Sequence, residues 1–67
     1  MSGWELIYSS NLPHRIEIVI DALSYQDIKS FKIDKRDSAN IILGEIELYT
    51  QIEDAILAKI IIQQNQL

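Results

Sequence analysis

The chain has no means of cross-linking itself, and this limits what it can fold into. It has 67 residues without a single cysteine, so no disulfide forms, and His14 is its one imidazole. A structural zinc site of the usual thiolate and imidazole kind is therefore not expected, and no metal or cofactor is expected. A domain of this size buries only about 60% of the surface its unfolded chain exposes. Its order must come from a dense apolar core, or from a core completed by a partner. The hydrophobic content of 48% is rich in Ile and Leu, which suits a packed domain rather than a disordered one.

Apolar spacing then divides the chain. Residues 4–10 are aromatic and branched, with Trp4, Leu6 and Tyr8 at period two, and read as a first strand ending in Ser9, Ser10 and Asn11. Asn11 as N-cap and Pro13 in the first turn open a helix over 12–25, whose inner face is Ile16, Val19, Ile20 and Leu23. Asp27 suits the left-handed turn that must follow. Residues 28–35 form a second strand, with Phe31 and Ile33 on one side and Lys32 and Asp34 on the other. The polar run from Lys35 to Asn40 is a hairpin loop, and residues 41–49 a third strand in which Gly44 marks a bulge or close approach.

Thr50 and Glu53 have capping-box spacing, with Asp54 adding charge at the positive helix end, and predict a second helix over 51–64 that frays in its glutamine-rich tail. Ala55, Ala58, Ile61 and Ile62 form its inner face. The order is βαββα in one domain spanning 1–67. A right-handed crossover sets strands one and two parallel, and placing strand three between them gives an α+β, ferredoxin-like unit lacking its last strand. The sheet order is 1-3-2, with both helices on one face. Trp4, Leu6, Tyr8, Phe31, Ile33, Ile46 and Leu48 complete the expected core.

Charge narrows the function. The formal net charge is -4, which disfavours a nucleic-acid backbone, and no run approaches the ~20 apolar residues of a membrane span. With no basic and apolar leader in the first residues, a cytoplasmic location is expected. No catalytic residue is assigned. His14 lacks a described acid or nucleophile and reads as a surface histidine; Glu45 and Glu47 share a strand face but read as solvated acids balanced by Lys32. Lys35, Arg36, Asp37 and Ser38 are the candidate anion site, their cations, hydroxyl and turn amides able to converge on a phosphate or carboxylate. Ile56 and Ile60, with Leu57 beside them, lie on the outer side of the second helix and predict a homo-oligomer, in the first instance a dimer. The free edge of strand one is a further contact surface.

Several segments taken together resemble a small bacterial family of prokaryotic signal-transducing proteins, a domain of unknown function related in fold to the PII-like nitrogen regulators. They are residues 4–11, Asp27-Ile28, Lys35-Arg36-Asp37-Ser38, Gly44-Glu45-Ile46-Glu47-Leu48-Tyr49, and Glu53-Asp54-Ala55 with Ala58. The resemblance spans nearly the whole chain. It implies a PII-like, ferredoxin-like fold and supplies no established reaction. Size, fold and the lack of catalytic chemistry favour a non-enzymatic regulatory or interaction module that responds to a small anionic ligand or a protein partner. A purely structural oligomerisation domain is the alternative, and a small enzyme with a site shared between subunits a third. Asn40, Ile56, Leu57 and Ile60 depart from the family's pattern.

Overall fold

Alternation of Ile46, Leu48 and Thr50, all buried, makes one strand the floor of the core, and the other elements are arranged around it. The computed structural model describes residues 3–36 and 44–67. Its elements are β1 (Trp4–Ser10), α1 (Pro13–Tyr25), β2 (Ser30–Asp34), β3 (Ile46–Gln51) and α2 (Ile52–Gln64). The sheet order is β1-β3-β2, and β3 pairs antiparallel with both neighbours. β1 and β2 therefore run parallel to each other, as the crossover argument requires. Ile16, Val19 and Leu23 of α1 join Ala58 and Ile61 of α2 over Ile46 and Leu48 in one cluster. Both helices thus cover the same face, and the fold is α+β.

Each helix ends by the same device. After α1, Asp27 is left-handed at φ 62°. Its N–H donates to the Ser24 carbonyl at 2.9 Å, and the Ile28 N–H to that of Leu23 at 2.9 Å. This pair of bonds satisfies the orphan carbonyls and returns Ile28 to pack with Leu23. Ile28 is consequently core, and β2 begins at Ser30 rather than at 28. After α2, Gln66 is left-handed at φ 56°. Its N–H donates to Gln63 at 3.1 Å, and that of Leu67 to Ile62 at 2.9 Å. The predicted fraying is corrected by this cap, since Leu67 folds back against the core.

The helix starts differ from expectation. Leu12, not Asn11, is the N-cap of α1 and makes no side-chain cap bond; its N–H donates instead to Ser10 Oγ at 3.1 Å. Thr50 and Glu53 form no capping box, because β3 extends to Gln51 in order to pair Thr50 with Glu5 and Gln51 with Trp4. Thr50 is thereby drawn into the sheet, fully buried, with its hydroxyl donating to the Gln51 carbonyl at 3.2 Å. The Ile52 N–H that opens α2 donates to the Gly3 carbonyl at 3.0 Å. Glu53 and Asp54 still place negative charge in the first turn. Gly44 precedes β3, and the sheet's bulge lies elsewhere.

That bulge corrects the expected core. Leu6 pairs with Tyr49, but Tyr8 pairs with Leu48, so Ile7 is an extra residue in β1. Trp4 and Leu6 keep to the face of Tyr49 and Gln51, whereas Tyr8 turns with Ile7 toward the helices. In β2, Phe31 opposes Tyr49 and Ile33 opposes Glu47, so these too face away from the helices. Lys32 and Asp34 take the helix side, and the Lys32 ammonium reaches out to Glu17 of α1 at 3.3 Å. Alternation separates two faces of an edge strand without saying which one is covered. Trp4, Leu6, Phe31 and Ile33 accordingly leave the predicted core, while Ile20 and Ile62 pack at its margin.

Truncating Leu23 or Ile46 to Ala is expected to cost about 2 to 5 kcal/mol in denaturant unfolding. Leu6→Ala, at a side chain 43% exposed on the other face, is expected to cost about 1 kcal/mol. Equal losses at all three positions would contradict the assignment of faces.

Candidate functional site: the open face of the sheet

The face turned away from the helices collects three of the chain's five aromatic residues, one from each strand. Register explains the grouping. Phe31 and Tyr49 are directly opposed, and their rings stack with centroids 5.3 Å apart and an interplanar angle of 11°. Trp4 meets Phe31 edge-on at 4.7 Å and 77°. Both are favoured geometries for aromatic quadrupoles. The three rings and Ile33 stay half-buried by mutual packing, and Leu6 is exposed beside them.

A polar group borders the rings. The Tyr49 hydroxyl donates to Glu47 Oε1 at 2.7 Å, and Lys35 Nζ stands 3.0 Å from the same oxygen. These two partners hold the Glu47 carboxyl below its ordinary value, the Tyr49 bond contributing most. Reciprocally, the bond to Glu47 raises the Tyr49 phenol and the Lys35 ammonium above theirs. Ser9 Oγ lies 3.5 Å from Glu45 Oε1 on the same side. The result is an apolar platform with a charged rim.

The sequence-predicted anion site is only partly visible. Asp37 and Ser38 lie outside the described residues. Lys35 is engaged with Glu47, and Arg36 grips Asp34 as a fork, Nε to Oδ1 at 3.0 Å and Nη2 to Oδ2 at 2.8 Å, with its backbone N–H on Oδ1 at 2.9 Å. These bonds, the side-chain ones foremost, bring the Asp34 carboxyl down to about 2. Two cations of the predicted site thus already have carboxylate partners.

The other candidates are dispersed. His14 is exposed at the start of α1, beside Tyr8, Arg15 and Leu67 in an open pocket of about 210 Å³. That pocket is on the helix side, away from Glu47. Arg15 Nη1 and the Tyr8 hydroxyl both donate to the Leu67 carbonyl, at 3.2 and 3.1 Å. Ile56, Leu57 and Ile60 are exposed on α2. Among the described residues no three His, Asp or Glu side chains are grouped to hold a metal ion, and no helix is long and apolar enough to cross a membrane. The aromatic platform itself was missed by sequence reasoning. Its signal was the polar partner at each alternate position, Glu5 beside Trp4 and Lys32 beside Phe31. Comparison with known proteins finds no matching family model, no matching curated protein and no matching solved structure.

The Tyr49 phenol, followed by the NMR shifts of its ring protons, is expected to titrate above 10.0 and to return toward that value in Glu47→Gln. Because its pKa is raised in the folded state, the stability it contributes is complete below the unfolded value and lost as pH rises through the folded one. The same midpoint in both proteins would contradict the Glu47–Tyr49 bond.

Proposed function

We propose that the chain is a non-enzymatic interaction module of the regulatory kind, and that the open sheet face is its recognition surface. The supporting observation is the cluster of Trp4, Phe31 and Tyr49 on a face that no described element covers. Aromatic residues are enriched at the centres of protein interfaces, where large rigid rings gain contact area at small entropic cost, and charged groups there belong to the rim. Glu47, Lys35 and Glu45 occupy that rim. With a chain charge of -4, the fitting partner is a protein segment that lays apolar side chains on the rings and brings a cation to Glu45, the exposed carboxylate of the rim. The resemblance to small signal-transducing domains supports the same class. Response to a small anion at Lys35, Arg36, Asp37 and Ser38 takes second place, because the anion has to displace Glu47 and Asp34 from the cations they hold.

Trp4 is the only tryptophan, so its fluorescence reports on this surface alone. Titration with a short peptide alternating Leu and Lys is expected to give a saturable emission change that is reduced in Phe31→Ala and weak with a Leu/Glu peptide. Equal responses to both peptides, or none to the basic one, would overturn the reading. A response to inorganic phosphate that is lost in Arg36→Ala would replace it with anion sensing.

A further inference from the structure

We propose that the outer side of α2 is a self-association surface that takes a second copy of the chain, packed antiparallel, independently of the sheet face. Ile52, Ile56 and Ile60 are 55%, 76% and 41% exposed, and Leu57 beside them is 50% exposed. The three isoleucines recur every four residues and so form one ridge along the helix. Gln64 continues the ridge, and none of its four members is charged. The opposite side is committed to the core through Ala55, Ala58 and Ile61. Lys59 is tied across to Glu5 of β1 at 2.6 Å. The helix is thus apolar on two sides, and its own domain uses one.

Charge selects the occupant. Two copies that each carry -4 repel wherever their acids meet, and a cation-rich foreign partner gains nothing from an uncharged ridge. A second copy of the same ridge is the surface that avoids both costs. Ridges of four-residue spacing interdigitate with their own kind, and a two-fold axis then buries both stripes at once. Direction follows from Glu53, the one charge at the start of the stripe. A parallel pair sets Glu53 against its own copy. An antiparallel pair centred between Ile56 and Ile60 sets Glu53 beside the Gln63 and Gln64 amides of the other copy, which donate hydrogen bonds, and opposes the helix dipoles.

Sedimentation of the full chain is expected to show a concentration-dependent dimer. Ile56→Glu should weaken it about tenfold or more while the circular dichroism stays native, and Phe31→Ala should leave it intact. A second variant answers the case in which Ile56→Glu fails to fold. Because the chain has no cysteine, Ile56→Cys/Ile60→Cys is expected to form a covalent dimer on oxidation, and a Tyr25→Cys control should not. A wild type that sediments as a monomer at every concentration would overturn the proposal. So would a dimer lost in Phe31→Ala but kept in Ile56→Glu, or a double-cysteine variant that cross-links no more than the control.

Discussion

The division of β1 between the core and the open face depends on how β1 is registered against β3, and that register changes at Ile7. Before it, Trp4 and Leu6 share a face with Tyr49; after it, Tyr8 and Ser10 share one with Leu48 and Ile46. Without the extra residue, a strict period of two would carry all of Trp4, Leu6, Tyr8 and Ser10 to one side. The helix layer would then have to accommodate an indole where Glu5 now stands, paired with Lys59. One inserted residue therefore divides β1 between the core and the opposite surface. It also lets the Tyr8 hydroxyl reach the Leu67 carbonyl and pin the end of α2 to the sheet.

A second constraint is material. Two helices of 13 residues each cover one face of a three-stranded sheet, and no other described element covers the opposite face. The chain nevertheless carries more large apolar side chains than that single interlayer holds. Among the described residues, part of the surplus is scattered along α1 as Leu12, Ile18 and Tyr25, and the rest collects in two places: aromatic residues on the open sheet face and aliphatic residues along α2. Their chemistry differs in a way that matters. The sheet face joins rings to a carboxylate and an ammonium, a combination suited to a partner with its own charges. The α2 ridge is aliphatic and uncharged, and it is suited to a copy of itself.

Much of the architecture was legible in the sequence because period and turn chemistry are local properties. The spacing of Ile16, Val19 and Leu23, the left-handed turn at Asp27 and the exposure of Ile56, Leu57 and Ile60 follow from near neighbours, and the strand order follows from the handedness of the crossover. The face of an edge strand is not local. Phe31 and Ile33 alternate with Lys32 and Asp34 equally well in either orientation, and only the pairing of Phe31 with Tyr49 decides. The capping box misled for a related reason: Thr50 has the right spacing to Glu53, but the pull of strand pairing with Glu5 outweighs one cap bond. The candidate site shared this fate. Lys35 and Arg36 were legible as cations, whereas their engagement by Glu47 and Asp34 depends on how the strands lie together.

The division of β1 into two faces can be read directly from nuclear Overhauser contacts of the Trp4 indole. The register at Ile7 predicts strong contacts from the indole protons to the Phe31 ring and none to the methyl groups of Ile16 or Leu23, while the Tyr8 ring contacts Leu67. Indole contacts to Leu23 or Ile16, with the Phe31 ring remote, would contradict it, since Trp4 would then belong to the core and the open face would lose the platform on which recognition is proposed.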